Sequence, residues 1–451
     1  MKTEHATAAR RLNAVSVKKL FGVFDHRIEL NNEERITIIH GPNGFGKTAI
    51  LQLVAGFFER RYSMLRNRPF ESVSFEVSNL PPICVRQTRI RQNGDSSKPT
   101  LEIESGKNSW STTSGLLGRL HSVDGSIEFF DNLRIPWLHQ IDKNLWFDNQ
   151  TGEQLDIEEV VDRYQEILHI RPQSDDTPEW LQKIQDSVQV YLIRANRLES
   201  PTHPDQQRMS RTRAYTPAPA VAMYAKELSE RIQRVQTVYA GLSQTLDRSF
   251  PMRIMTKTDA EKLSLSEIKA RFAALDQQRK ELKEGGLLER EEEAGLENLP
   301  EPDESQRGVL TAYIDDMTQK LDVFRELHAR IKLLCELLNS RFHYKQVRID
   351  KRQGLVFQTD AGLELPPTSL STGEQHEVVI LYQLLFLTQP DSLVLIDEPE
   401  ISLHVAWQQS FLKDIAQIAE LSKIDFLIAT HSPSIIDDRW DLTVELKGPQ
   451  R

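Results

Sequence analysis

With 451 residues, the chain is long enough for two or three domains, or for one core carrying insertions. Ordinary apolar content and 27% charged residues argue against global disorder. A net charge of −10 argues against coating by nucleic acid through bulk electrostatics, while leaving room for a local basic groove. The two cysteines, Cys84 and Cys335, form no CxxC, which speaks against a disulfide framework or a cysteine zinc site and suits a reducing cytoplasm. The N-terminal "MKTEHATAARRLNAVSV" lacks the apolar core of a signal peptide. The longest apolar run, Val378 to Leu387, is broken by Gln383 and is about half of what a membrane span needs. A cytoplasmic protein without membrane contact is expected. In chain order, "LNAVSVKKLFGVFDHRIEL" alternates and predicts paired strands. "RITIIH" (35–40) predicts a short strand that ends at a glycine loop, with a helix from about Lys47 to Arg61 after it.

"SVSFEVS", "ICVRQTRI" and "TLEIES" predict an antiparallel β extension. Residues 107–150 carry no assignable pattern. Helical pieces are expected near 156–168 and 178–186, and a strand at "VQVYLIRA" (188–195). Residues 199–219 hold prolines and three arginines and read as a boundary. The period then changes. Leu228, Ile232, Val235, Tyr239, Leu242 and Leu246 form a coiled-coil-like seam, and a second runs from Leu310 to Leu338. Between them a shorter helix (about 261–284) and an acidic Gly/Pro-rich stretch suggest an arm folding out and back. At roughly 30 residues such a helix spans about 45 Å, a short arm. "YKQVRID" and "GLVFQT" predict a hairpin, "SLVLIDEPE" a buried strand ending in acids, and "DFLIATHSP" the last clear strand. The expected organisation is one domain split into 1–200 and 346–451 by a helical insertion at 201–345.

"GPNGFGKT", Gly41 to Thr48, fits GxxxxGK[ST] between a predicted strand and helix, the context of a phosphate loop. Gly41, Gly44 and Gly46 free the backbone so that N–H groups can face phosphate oxygens, with Pro42 and Asn43 in the same cradle. Lys47 supplies a charge for the β/γ-phosphates, Thr48 a hydroxyl for Mg²⁺, and Ala49 continues the helix start. "LVLIDEPE" delivers Asp397 and Glu398 to the carboxyl edge of a sheet, where α/β sheets bind ligands. Asp397 suits Mg²⁺ and Glu398 suits polarisation of an attacking water. "SLSTGEQHE" (369–377) reads as a capped helix start with Ser371 and Thr372 at the cap and Gly373 behind. Phe21 and Phe24 could stack on adenine or lie in the core. Arg60, Arg61, Arg66 and Arg68, and again Arg194, Arg197, Arg208, Arg211 and Arg213, could meet nucleic-acid phosphates or simply pair with surplus acids.

"GPNGFGKT", "LSTGEQ", "LVLIDEPEISLH" and "ATHSP" occur in the order found in ABC-type ATPases. The chain resembles their RecF/SMC/OLD-like branch, and "DEPEISLH" with "THSP" looks like the ATPases of bacterial phage-defence systems such as Septu, PARIS or retron-associated ones. The resemblance implies an α/β, ABC-type P-loop core with an antiparallel β subdomain and the helical insertion, binding ATP and Mg²⁺ at Gly41–Ala49 and Asp397. It implies that Ser371, Gly373 and Glu374 of the signature contact a nucleotide on another subunit, giving a homodimer around ATP or a higher oligomer. Ser402-Leu403-His404 would run along that interface, and His431 would sense the γ-phosphate. Lys47, Glu398 and His431 would be catalytic. The Q-loop glutamine stays open between Gln87 and the "LIRANRL" segment (192–198).

A TOPRIM nuclease domain would follow the switch histidine in an OLD nuclease, and only twenty residues follow His431. The effector is therefore expected to be a separate nuclease or toxin, held and released on a phage-derived trigger. A RecF/SMC-like DNA-repair clamp is the alternative, and a slowly turning ATP scaffold a third reading.

Overall fold

The computed structural model of the protein describes residues 10–88, 99–112, 138–142, 145–148, 153–156, 159–160, 164, 177–194, 220–256, 263–288, 303–401 and 405–449. Two compact units partition the chain: Met1–Tyr215 with Leu387–Arg451, and Thr216–Phe386.

Unit one begins with the expected hairpin, β1 (Leu12–Leu20) paired antiparallel with β2 (Phe24–Glu29). The chain leaves for β3 (Ile36–His40), runs through helices Lys47–Phe58 and Tyr62–Arg66, and returns as β4 (Ser72–Val77), β5 (Ile83–Thr88), β6 (Thr100–Ser105) and β7 (Asn108–Ser111). These strands form an antiparallel sheet in the order β2-β1-β4-β5-β6-β7. In β4 and β6 every second residue is buried, the signature of a sheet with one dry face. The patternless stretch 107–150 thus contributes β7, and also β8 (Leu138–Asp142) and β9 (Leu145–Asp148), which join β10 (Glu153–Asp156) in an antiparallel ribbon. The expected helix near 156–168 lies largely outside the described residues. That at 178–186 is present as Glu179–Gln185, followed by β11 (Val190–Arg194).

Unit two is mostly helical. Ala220–Thr256 carries the first seam, and Leu265–Glu284 starts at a Ser264/Glu267 capping box. The second seam is interrupted: Glu304–Asp322 and Arg325–Asn339 are separate helices. Leu321, Phe324 and Leu327 are buried on both sides of the break, so the apolar spacing passes through it unchanged. Buried polar groups tie the arm together: the half-buried Arg253 donates to the buried carboxylate of Asp316, and Lys320 Nζ lies 2.8 Å from Asp247. The predicted hairpin is β12 (Lys345–Asp350) with β13 (Gly354–Thr359), extended by β14 (Glu364–Leu365). The signature helix, Thr372–Tyr382, follows.

The chain then completes unit one with β15 (Leu393–Asp397), helix Val405–Ser422, β16 (Asp425–Thr430) and β17 (Thr443–Glu445). The order β11-β15-β16-β3-β17 is parallel throughout. All six residues of β16 and the first four of β3 and β15 are buried, as expected for parallel strands covered on both faces. Sequence pattern ended the sheet at β16; β17 adds an edge strand beside β3. The helix Lys47–Phe58 is buried at ten of its twelve positions, so it is apolar all round. One apolar cluster links Val15 and Val17 through Leu51, Val54 and Phe57 to Leu395 and Leu427. At the opposite strand ends, Asp425 accepts from Arg11 Nε at 2.6 Å and from Arg35 Nη1 at 3.2 Å, fastening β1 and β3 to β16. The fold is mixed α/β, with a P-loop core, an antiparallel β subdomain and a long helical arm, in the class expected from the sequence.

Candidate functional site

β3 delivers the chain to Gly41, and the loop closes on Gly46, the residue before helix Lys47–Phe58. Gly46 has φ +93, and a Cβ there would lie 2.5 Å from Leu20 Cδ2, so only glycine lets the loop lie against β1. No side chain caps this helix, and its first turn has no acid, which leaves its N-terminal N–H groups and their positive potential for an anion. Lys47 is buried. Its ammonium donates to Gly41 O at 2.7 Å, Pro42 O at 3.3 Å and Asn43 Oδ1 at 3.4 Å, and is thereby folded back over the loop. Ala49 is buried in the same turn.

Thr48 Oγ1 donates to Asp397 Oδ1 at 3.0 Å, joining residues 349 positions apart. Parallel pairing of β15, β16 and β3 puts Asp397, Thr430 and the glycine loop at one strand-end edge. Glu398 stands just beyond, with φ +44, a left-handed conformation that costs a non-glycine residue about 1–2 kcal/mol. Two bonds hold it there: its N–H donates to Ala429 O at 2.9 Å, and its carbonyl accepts from Ile401 at 3.1 Å. His431 Nδ1 is 3.8 Å from Glu398 Oε1, too far for a hydrogen bond. It is 3.0 Å from Oε1 of Glu400, which also accepts from the Thr430 hydroxyl at 2.8 Å and the His431 N–H at 3.0 Å.

Phe24 does not face an open site; its ring lies 5.3 Å from Phe45 of the glycine loop and stacks on His26. His26 Nε2 lies 3.0 Å from the Phe45 carbonyl, and burial holds this imidazole below the ordinary histidine range despite that bond. A neutral ring beside a carbonyl must carry its proton on Nε2, so His26 donates and pins the loop. Phe21 differs: it is 45% exposed, has φ +54, and lies beside Gly46. Gln87 is consumed locally. Its amide donates to the carbonyls of Leu65, Arg66 and Arg68, and its oxygen accepts from Phe70. In the competing segment, Arg194 pairs in register with Asp397 through β11 and β15, and residues 195–198 lie outside the described residues.

In unit two, Ser371 is the N-cap of the signature helix in a full capping box. Its Oγ accepts from Glu374 N at 3.3 Å, and Glu374 Oε2 accepts from Ser371 N at 2.7 Å. Lys345 Nζ grips both oxygens of Glu374, at 2.9 and 2.8 Å, so that carboxylate is engaged within the unit. A Cβ on Gly373 would meet nothing within 4 Å. Ser402-Leu403-His404 lies outside the described residues.

Residues 36–437 match the family model described as "AAA domain, putative AbiEii toxin, Type IV TA system". The chain belongs to this family. No curated protein matches the sequence. Among solved structures, the Smc head domain of Pyrococcus furiosus, with an extended coiled coil and bound to the C-terminal domain of ScpA, is 13% identical; the alignment covers 98% of this chain and 94% of that one, with a TM-score of 0.35. The SMC head domain of Thermotoga maritima is 11% identical over 95% and 91%, with a TM-score of 0.32. An SmcHead bound to the C-winged helix domain of ScpA is 11% identical over 94% and 91%, with a TM-score of 0.33.

This AAA-family match begins at the first residue of β3 and ends after His431, so it spans both motif halves and the arm between them. ATPase character is thus carried at the level of the domain. Of the basic residues, Arg60 pairs with Asp186 at 2.6 Å, Arg61 with Glu59 at 3.0 Å, and the half-buried Arg68 donates to Met64 O at 2.9 Å. Those three serve the fold. Arg197, Arg208, Arg211 and Arg213 lie outside the described residues. Motif reading missed Glu400 and Phe45. Both lie inside the motifs themselves, in "DEPE" and "GPNGFGKT", but an acid after a Walker-type strand and an apolar loop residue look like spacers until their partners are seen. Among the described residues, no helix is long and apolar enough to cross a membrane.

Proposed function

We propose that this AAA-family protein binds ATP with Mg²⁺ at Gly41–Ala49 and Asp397, hydrolyses it, and uses the cycle to control a separate effector. The observation that carries the reading is the Thr48–Asp397 hydrogen bond, which brings a phosphate-loop hydroxyl and a strand-end carboxylate to 3.0 Å. Two hard oxygens so close suit Mg²⁺, which when bound would offset phosphate charge. Lys47 exchanges its loop carbonyls for β/γ-phosphate oxygens, and the uncapped helix N-terminus completes the cradle. Glu398, its backbone fixed at the strand end by bonds to Ala429 and Ile401, orients and accepts a proton from the attacking water. Ser371 and the Gly373 N–H face the nucleotide of a second copy, so that two chains close around two ATP molecules.

The family's description names a toxin of a type IV toxin–antitoxin system, in keeping with a toxin-control or phage-defence switch. Calorimetric titration tests the nucleotide site: Lys47→Ala should lose ATP binding by at least a hundredfold, with its melting temperature retained. Undiminished binding would remove the phosphate loop from the mechanism. The effector is tested by expressing the neighbouring open reading frame alone and with this chain. Growth arrest relieved by co-expression supports control of a toxin, and its absence removes that part of the reading.

A further inference from the structure

Phe45 is an open position of the GxxxxGK[ST] pattern, yet two segments outside the motif meet it. From β2, the Phe24 ring lies 5.3 Å from the Phe45 ring, and His26 Nε2 lies 3.0 Å from the Phe45 carbonyl. Beyond β17, a Cβ on Gly448 would stand 3.6 Å from Phe45 Cζ. At the other end of the loop, a Cβ on Gly41 would stand 3.2 Å from Leu446 O. The loop is thus held from outside at both ends. Among the described residues the imidazole is the group that bonds the Phe45 carbonyl. A carbonyl oxygen only accepts, so Nε2 carries hydrogen whatever the charge of the ring. At 7% exposure, the ring leaves little room for water to take over that bond.

We propose that His26 is a positioning residue for nucleotide binding, which fixes the Phe45 carbonyl and so presets the Gly46 N–H for a phosphate oxygen. The proposal rests on the ATPase reading of the site. In a planar trans peptide, the carbonyl and the next N–H point opposite ways. With the Phe45 carbonyl turned to β2, the Gly46 N–H is turned away from β2, and no acceptor among the described residues takes it. Gly46 also lies against Leu20 of β1, so the β1–β2 hairpin holds this corner by shape at one point and by a hydrogen bond at another. The bond is needed because the next residue is glycine. Gly46, at φ +93, tolerates either sign of φ, so an unpinned Phe45–Gly46 peptide is able to rotate. A rotated peptide turns a carbonyl oxygen toward the anion in place of an N–H. His26 thereby acts on the phosphate through the backbone, without touching it.

Calorimetric titration with MgATP, at a temperature below every unfolding transition, compares full-length wild type with two variants. His26→Phe keeps a ring against Phe24 and loses the donor; His26→Gln keeps an N–H donor. His26→Phe should bind ATP about tenfold more weakly and raise KM to match, with kcat at saturation within about threefold, while His26→Gln should bind within about threefold of wild type. A role confined to stability would lower the melting temperature of His26→Phe and leave the affinity of the folded protein unchanged, and that result overturns the proposal. So does a His26→Gln protein as weak as His26→Phe. Should His26→Phe fail to fold, long-range ¹H–¹⁵N spectra of the wild-type imidazoles decide, with His26 assigned by its absence from His26→Gln: hydrogen on Nε2 supports the proposal, and a ring with hydrogen on Nδ1 alone overturns it. A wild type that binds no ATP sinks the ATPase reading and the proposal with it. A wild type that binds, beside a His26→Phe that binds equally well, sinks the proposal alone.

Discussion

Gly46 and Glu377 show how single positions in the two motif segments are constrained by different physics. At Gly46 the constraint is steric. Alanine would place a methyl carbon 2.5 Å from Cδ2 of the fully buried Leu20 and force φ +93 on a residue with a Cβ. Gly46→Ala should therefore cost about 1–3 kcal/mol of stability and weaken ATP binding at least tenfold, as measured by thermal unfolding and titration. At Glu377 the constraint is solvation. Burial pushes its carboxyl up to about 7, the nearby Glu374 adds to the rise, and Arg341 opposes it. A folded-state value above the unfolded one, 4.5, means the group favours folding below about 4.5 and that this stabilisation fades as pH rises through 7. Glu377→Gln should raise the melting temperature relative to wild type at pH 8, with the gap closing as pH falls toward 4.5; a gap independent of pH would mean that Glu377 is solvated. Neither constraint is visible in the letters. The motif marks Gly46 as necessary but does not name Leu20, and Glu377 reads as an ordinary polar helix residue.

Between elements, the closest approach lies where helix Ala220–Thr256 crosses β13. Gly354 has φ +74, and a Cβ there would stand 1.7 Å from the carbonyl oxygen of Ala225, a backbone atom that cannot swing aside. Ser229 Oγ secures the same crossing by donating to Arg352 O at 2.8 Å. Gly354→Ala should destabilise the protein by about 3 kcal/mol or more, with a lower urea midpoint, whereas Gly241→Ala, whose Cβ meets nothing within 4 Å, should not destabilise it. Equal midpoints would show that helix and hairpin are not in contact. Elements with strong periods were legible from sequence: β3, β15 and β16 as buried runs, β4 and β6 by alternation, Ala220–Thr256 by its seam. The break at Val323–Phe324 was not, because no glycine or proline marks it and the buried spacing continues. β17 was not either, since "TVE" is three residues long and gains its place only by pairing with β3. The candidate site divides in the same way: Lys47, Thr48, Asp397 and Glu398 follow from motif and strand order, while the grip of Glu400 on His431 depends on which of two acids the turn brings nearer.

For the whole molecule, the division of motifs between units decides what can be tested without a structure of the assembly. Lys47, Thr48, Asp397 and Glu398 belong to unit one, and Ser371, Gly373 and Glu374 to unit two. If each hydrolytic centre takes its phosphate loop from one chain and its signature from another, two different defects are complementary. Lys47→Ala ruins only the loop. Ser371→Arg ruins only the signature, by placing a bulky cation at the helix N-cap where a small hydroxyl closes the capping box. Each homodimer should be inactive. Mixing them in equal amounts produces heterodimers in which one centre pairs an intact loop with an intact signature and the other pairs two defective halves. Random exchange in a two-fold dimer then restores roughly a quarter of wild-type ATPase activity per chain. A centre built within one chain would give no recovery, because every centre would carry one defect. The same mixture made with Glu398→Gln in place of Lys47→Ala should bind ATP at every loop and regain the same quarter of turnover, which separates loss of nucleotide from loss of chemistry. Recovery in both mixtures would establish that this chain works only as a pair.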